Sequence, residues 1–211
     1  MPVLVFVGGA SGVGKTTLCK ELVVVNSCFD YLSFFKSMRT EAGNDNKEER
    51  LQRWGELQLL VVANQISPRI KSGKSIVFDT HFAFQRSGGP EIAFAKRGFN
   101  PDLNYQETFS DEFFCLLGNL SVSVLSLFLE EDETVILERQ RTDVKALRSL
   151  SQEIVRKEQV AEKKCWIKFC SALAAYKILY LRQRIINSAP VGTTVKYLSE
   201  LLEQIPPKVG K

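Results

Sequence analysis

Short apolar runs alternate with amphipathic stretches along the chain. The runs, rich in Val, Leu, Ile and Phe, predict strands at residues 3–7, 31–35, 76–79, 122–129 and 184–187. Apolar residues at helical spacing between them predict helices at residues 15–25, 46 to about 67, 111–120, 132–141, 149–176 and 194–204. Strands that alternate with helices indicate a parallel sheet covered on both faces. The pattern therefore predicts an α/β three-layer sandwich around a mostly parallel five-stranded sheet.

Local signals place several helix starts. Asn46 followed by Glu49 resembles a capping box, and Ser149 with Gln152 has the same spacing before the longest helix. Asp132 is the expected cap of the helix that runs to about residue 141. Residues 82–110 instead mix Gly, Pro, Asn and aromatic side chains without a clear period. Because so long a loop in a compact domain is usually functional, we expect a variable loop on the substrate side.

Composition narrows the class of protein. With 211 residues, 45% hydrophobic and 25% charged, the chain is expected to form one domain. A net charge of +4 makes a nucleic-acid partner unlikely. The N-terminus lacks a basic signal region, and no apolar run approaches the roughly 20 residues that span a bilayer. The five cysteines, without C-x-x-C spacing, are expected to be free thiols. We expect a cytoplasmic protein with no membrane partner; the oligomeric state stays open.

A phosphate-binding motif lies between the first strand and the first helix. Residues 9–16 read Gly-Ala-Ser-Gly-Val-Gly-Lys-Thr and match G-x-x-x-x-G-K-[ST]. In this strand–loop–helix context, backbone N–H groups converge on phosphate at a helix N-terminus. Lys15 would then reach the terminal phosphates and Thr16 would hold Mg²⁺. The predicted nucleotide-binding residues are Gly9, Ala10, Ser11, Gly12, Val13, Gly14, Lys15, Thr16 and Thr17.

The third predicted strand ends on an acid. Asp79 follows Ile76-Val77-Phe78, so its carboxylate is expected at the same sheet edge as the glycine loop. There it could orient Mg²⁺ beside Thr16, or it could cap the following turn. His81, the only histidine, would line the mouth of the site as an acceptor contact or an orienter of Asp79, unless it is structural.

Three further groups of side chains have both a functional and a structural interpretation. Arg139, Arg141, Lys145 and Arg148 could neutralise a transferring phosphoryl group or form a solvated helix end. Arg39 and Arg53 flank the polar segment after the second strand and could bind an acceptor anion or be exposed. The aromatic side chains of the long loop could stack on a base or pack the loop onto the body; they are Phe82, Phe84, Phe94 and Phe99.

Together the glycine loop, Asp79-Thr80-His81 and the arginines resemble the nucleoside monophosphate kinase branch of P-loop proteins, most closely the archaeal-type adenylate kinases. The resemblance implies one P-loop kinase-like domain over residues 1–211, with an acceptor-side segment at about 36–70 and a lid at about 139–150. It also implies ATP and Mg²⁺ as cofactors. The implied catalytic residues are Lys15, Asp79, Arg139 and Arg148, and the implied acceptor-side residues are Arg39, Arg53 and His81. The long aromatic loop and the arginine spacing depart from that family.

These features favour a kinase that transfers the γ-phosphoryl group of ATP to a small acceptor, with a nucleoside monophosphate, AMP first, as the expected acceptor. A kinase of another small metabolite is one alternative. A slow, nucleotide-switched ATPase or sensor with a macromolecular partner is another. The chain has no Asn-Lys-x-Asp motif, which argues against a GTPase. The arginines distinguish a kinase from a nucleotide-switched ATPase or sensor. A kinase needs acceptor-binding cations that face the glycine loop, and a switch does not.

Overall fold

The computed structural model describes residues 2–86, 89–94, 109–142 and 151–205. Its strands are β1 (Val3–Gly8), β2 (Phe29–Ser33), β3 (Ser75–Asp79), β4 (Ala83–Arg86), β5 (Gly89–Ile92), β6 (Ser123–Glu130) and β7 (Tyr180–Ile186). The main sheet has the order β2–β3–β1–β6–β7, and all of its pairings are parallel. Strands β4 and β5 form a separate antiparallel hairpin.

Helices separate the strands of the main sheet. They are α1 (Lys15–Val25), α2 (Phe34–Ala42), α3 (Lys47–Gln52), α4 (Trp54–Leu60), α5 (Ser67–Lys71), α6 (Asp111–Asn119), α7 (Glu133–Thr142), α8 (Gln152–Ala175) and α9 (Val191–Glu203). A π-helical segment, Val61–Ile66, joins α4 to α5. Among the described residues, none of these helices has the length and apolar character needed to cross a bilayer.

Side-chain alternation along the central strand creates the three layers. In β1, Leu4 and Phe6 point into one core, which contains α2, α4, α6 and α8 side chains. Val5 and Val7 point into the opposite core, against α1, α7 and α9. Because neighbouring strand residues face opposite sides, a strand buried on both faces is apolar throughout. The predicted α/β three-layer fold is confirmed, and the sheet is wholly parallel.

Two capping predictions are confirmed and one is wrong. The Asn46 side chain accepts from the backbone N–H of Glu49, whose carboxylate accepts from Asn46 N. Asp132 Oδ1 accepts from Thr134 N at 2.8 Å at the start of α7. The cap of α8, however, is Ser151, whose hydroxyl accepts from Ile154 N. Ser149 lies outside the described residues.

The aromatic segment is the main fold-level correction. Part of it forms the antiparallel β4–β5 pair, in which Arg86 is in register with Gly89. Phe82 and Phe94 are fully buried, and their rings lie 5.2 and 5.3 Å from that of Phe169 in α8. These two rings pack the hairpin onto the body, so the alternative in which they stack on a base is wrong. The Phe84 side chain and Phe99 lie outside the described residues.

All five cysteines are free thiols, as the sequence predicts. Three of them, Cys19, Cys165 and Cys170, are buried and pack as small apolar side chains in the two cores. The fold is therefore held by its apolar layers without disulfide staples.

Candidate nucleotide and acceptor site

The glycine loop joins the carboxyl end of β1 to the first turn of α1. Gly9 has φ of +141°, and a Cβ there would lie 2.4 Å from the backbone oxygen of Leu129. Gly14, the residue that caps α1, has the left-handed φ of 99° that side chains disfavour. Glycine is thus needed at both ends of the loop, by close approach to β6 at one end and by backbone conformation at the other.

Side chains from distant parts of the chain hold the loop's carbonyl oxygens. Gln140 Nε2, in α7, donates to Ser11 O at 2.7 Å. Asn187 Nδ2, just after β7, donates to Val13 O at 2.7 Å, and Arg139 Nη1 donates to the same oxygen at 3.3 Å. A phosphate cradle is built from backbone N–H groups, so fixing the carbonyl oxygens to outside donors suits the loop to an anion.

Lys15 is buried within the loop. Its Nζ donates to Gly9 O at 2.7 Å and Ala10 O at 2.9 Å, and the residue is only 7% exposed. A buried ammonium group needs such partners. These bonds hold the cation against the loop itself, where an incoming phosphate could replace the two carbonyl oxygens.

The first turn of α1 meets the end of β3. Thr16 Oγ1 donates to Asp79 Oδ2 at 2.6 Å, and Tyr31 Oη, from β2, donates to the same oxygen at 3.1 Å. Burial and the Asp79 carboxylate raise the pKa of Tyr31 to about 12, so the phenol stays a donor at neutral pH. Asp79 therefore keeps one oxygen in a fixed position beside the Thr16 hydroxyl.

These oxygens fit the magnesium ion that the motif implies. Mg²⁺ is held in phosphate sites by one or two protein oxygens together with phosphate oxygens and water. Thr16 and Asp79 supply such a pair beside the loop. Within the described ranges no cluster of three or more His, Cys, Asp or Glu side chains could hold a metal ion by itself. Thr16 and Asp79 are the residues that would hold such an ion.

A carboxylate from α8 reaches the loop as well. Glu158 Oε1 accepts from Ser11 N at 2.8 Å. That N–H belongs to the predicted phosphate cradle. The Glu158 carboxylate would therefore lie close to a bound polyphosphate, and the two negative charges would repel each other.

One turn further along α8, Glu162 binds the segment after β3. Its Oε1 lies 2.5 Å from His81 Nδ1, and its Oε2 accepts from Phe82 N at 2.7 Å and Ala83 N at 3.2 Å. The Glu162 side chain is wholly buried and that of His81 is 14% exposed. Burial raises the pKa of Glu162, against the opposing effects of Lys15 and the two N–H groups.

The predicted cations are distributed unequally. Arg139 lies against the glycine loop, and its Nη2 also pairs with Glu131 at 3.3 Å. Arg141 is exposed on α7, whereas Lys145 and Arg148 lie outside the described residues. Arg39 is exposed in the last turn of α2.

Arg53 is engaged by acidic neighbours. Its guanidinium contacts Asp45 through Nη1 at 2.6 Å and both oxygens of Glu56 through Nε and Nη2. These ion pairs engage all three nitrogens of the guanidinium and do not join Arg53 to the glycine loop.

Several site residues were missed by sequence reasoning. They are Tyr31, Gln140, Glu158, Glu162 and Asn187. One signal was available for the acids. Glu162 lies three residues before Cys165 and seven before Phe169, on the stripe of α8 that faces the core. A carboxylate on a buried stripe requires partners, and Glu158 precedes it by one turn.

Comparison with known proteins supports the fold and goes no further. No family model and no curated protein sequence matches the chain. Among solved structures, the chain is similar to the crystal structure of a "putative kinase" from Chloroflexus aurantiacus J-10-fl, with a TM-score of 0.55 and 14% identity. The match covers 97% of this chain and 98% of that one. The class defined here is thus an α/β three-layer fold with a glycine loop at the carboxyl edge of its sheet.

Proposed function

We propose that this protein is an ATP-dependent phosphotransferase that moves the γ-phosphoryl group of ATP, with Mg²⁺, to a small acceptor. The observation that carries the proposal is the junction of three groups at one sheet edge: the glycine loop with its buried Lys15, Thr16 in the first turn of α1, and Asp79 at the end of β3. Phosphoryl transfer needs a cation on the terminal phosphates and a metal ion that bridges them; Lys15 is such a cation, and Thr16 and Asp79 would hold the metal ion.

The residues on the acceptor side favour a planar, anionic acceptor. The segments after β2 and β3 meet at this edge, where the half-exposed ring of Phe35 lies 5.7 Å from that of His81. Arg39 follows one helical turn after Phe35 on α2 and is exposed. An aromatic face suits a base, and a guanidinium suits a phosphate. A nucleoside monophosphate combines the two, and AMP is the first choice because of the family resemblance.

One observation favours a second acceptor class. Asp45 and Glu56 contact all three nitrogens of the Arg53 guanidinium and neutralise its charge, so Arg53 offers an acceptor phosphate less attraction than an unpaired guanidinium would. With one of the two predicted acceptor cations so occupied, a small metabolite that carries less charge than a nucleoside monophosphate is the second candidate.

The test is ADP formation from ATP and Mg²⁺ in the presence of AMP, CMP, UMP, GMP or dTMP. We expect at least one to raise turnover clearly above the rate with ATP alone, with AMP the strongest. If none does so in protein shown to bind ATP, the monophosphate kinase proposal is wrong. Phosphorylation of another metabolite would then support the second candidate, and slow ATP hydrolysis without any acceptor would support the sensor.

Arg39 and Arg53 make a matched pair for the acceptor. Arg39→Ala is expected to raise the acceptor KM by about tenfold through loss of a charge-assisted contact. The sequence also places Arg53 on the acceptor side, so Arg53→Ala should raise the acceptor KM as well, but by less than Arg39→Ala because Asp45 and Glu56 already pair with Arg53. An acceptor KM that responds only to Arg53→Ala would reverse this assignment.

A further inference from the structure

The strongest unassigned group in the molecule is the buried carboxylate of Glu162. Most buried neighbours of Glu162 on α8, among them Val155, Cys165 and Phe169, are apolar, and packing alone does not call for an acid there. The side chain is fully buried and yet has three hydrogen-bond partners, all in the segment that follows β3. Burying an acid is costly unless it is so paired, which indicates a specific role.

Its partners lie on the acceptor side. His81 follows Asp79 by two residues, and Phe82 and Ala83 begin the hairpin that packs on α8. One carboxylate oxygen holds the imidazole through Nδ1, and the other accepts from both backbone N–H groups. The orientation of a histidine ring is set by the hydrogen bond at one of its nitrogens. Glu162 therefore fixes the ring, the turn and the start of the hairpin together.

We propose that Glu162 is a positioning residue for the acceptor side: it holds the imidazole of His81 and the first residues of the β4–β5 hairpin in the orientation that acceptor binding requires. This inference rests on the proposed phosphotransfer function. It separates the two acids of α8 that contact the candidate site, because Glu158 contacts the glycine loop and Glu162 contacts the acceptor-side turn.

The charged surroundings are mixed. Lys15, from α1, favours the ionised form of Glu162, whereas Glu158 on the same helix opposes it. Glu162 in turn raises the pKa of the Cys165 thiol, after burial, which is the larger cause. The Oε1 of Glu162 and the Nδ1 of His81 lie 2.5 Å apart, so the contact is a hydrogen bond that holds one proton, whichever of the two groups carries it.

The direct test uses the fact that His81 is the only histidine in the chain. NMR of the wild-type imidazole should show a single Nδ1 environment and a low-field proton that exchanges slowly with water. Glu162→Gln, which keeps an oxygen acceptor for the backbone N–H groups, should remove that proton signal. A wild-type imidazole that lacks the slowly exchanging proton, or the same proton signal in both proteins, would overturn the proposal.

Kinetics provide the second arm. Glu162→Gln should raise the acceptor KM about tenfold, with ATP KM changed less than twofold, since positioning is lost on one side only. His81→Gln tests the same contact without altering the buried acid, and the double variant should lose no more than the worse single variant. Glu153→Gln, an exposed acid of α8 paired with Lys157, is the control and should change neither value.

An equal rise in ATP KM and acceptor KM would contradict the proposal, and so would additive effects of the two variants. Because the NMR arm needs no acceptor, its failure is distinguishable from failure of the proposed function. A wild-type protein with the slowly exchanging proton but no kinase activity would leave the positioning of His81 intact and refute the phosphotransfer proposal alone.

Discussion

The two halves of the candidate site are built in different ways. The donor half, around the glycine loop, is made from one contiguous segment whose backbone conformation requires glycine at Gly9 and Gly14. The acceptor half is assembled by side chains from separate elements, and its principal contact joins His81 to Glu162, 81 residues further along the chain. A contiguous backbone site is defined by local sequence, whereas an assembled one depends on how the helices pack.

The halves meet at Asp79 and on α8. Asp79 accepts from Thr16 on the donor side and from Tyr31 in β2, the strand that leads to the acceptor side. Glu158 and Glu162, one turn apart on α8, each contact one half. Changes in the donor half should therefore reduce turnover with every acceptor, and changes in the acceptor half should act on acceptor KM and on pH dependence.

The largest expected effect is on the donor half. Lys15→Ala should lower kcat by about a thousandfold or more with every acceptor, because the cation at the terminal phosphates is lost. Lys20→Ala, an exposed lysine on the same helix, is the matched control. Thermal melts of both variants should stay close to wild type. An active, normally folded Lys15→Ala protein would contradict the proposed role of the glycine loop in phosphoryl transfer.

Asp79→Asn tests the point where the halves meet. Asparagine can still accept from Thr16 and Tyr31, but it lacks the charge that favours a metal ion. We expect kcat to fall about a hundredfold, with a higher Mg²⁺ concentration needed for half-maximal rate. Asp30→Asn, in β2 and paired with Arg69 at 3.3 Å, is the control. An unchanged Mg²⁺ dependence would show that Asp79 does not hold the metal ion and would favour its alternative role as a cap of the following turn.

Arg139 should act on the donor half alone. Arg139→Ala is expected to lower kcat about tenfold with a smaller effect on ATP affinity, because phosphate contacts tighten in the transition state. Arg141→Ala, two residues along α7 and exposed, is a matched control. Equal, small effects of the two substitutions would mean that Arg139 has only a structural role, through its contacts with Val13 O and Glu131.

The features that could be predicted from the sequence are mostly local ones, as in the donor half, and those that could not depend on tertiary packing, as in the acceptor half. The parallel sheet, most helices and the entire glycine loop follow from local patterns, and the fold prediction is confirmed. Helix α2 was missed because the apolar run at residues 31–35 covers the end of β2 and the start of α2. Strand β7 begins earlier than predicted, since its exposed edge position gives no clear alternation. Glu162 could not be assigned to His81, because only tertiary packing joins them.

The acceptor half should also set a pH dependence of stability. Burial raises the pKa of Glu162 to about 8, so the folded His81–Glu162 pair keeps a proton up to that pH. In the unfolded chain Glu loses its proton near about pH 4.3 and His near about pH 6.5. Between about pH 6.5 and 8 the folded state therefore binds one more proton, and stability falls as pH rises, by about 2 kcal/mol at most.

Urea denaturation at several pH values measures this slope. Glu162→Gln should flatten it between about pH 6.5 and 8, and the Glu153→Gln control should retain it. A wild-type stability that does not fall over this range, or an equal slope in Glu162→Gln, would contradict the expectation.

The smallest expected effect lies where α8 touches the donor half. Glu158→Gln keeps an oxygen that can accept from Ser11 N but removes the negative charge next to an incoming polyphosphate. ATP should then bind about two- to fivefold more tightly, the range for partly exposed charge pairs. The gain should shrink as salt is raised, and Glu153→Gln should show none of it. Calorimetric titration with ATP at low and high salt makes the measurement. Weaker binding in Glu158→Gln would mean that the carboxylate assists the nucleotide, through Mg²⁺ or its water, and that α8 contributes a favourable group to both halves.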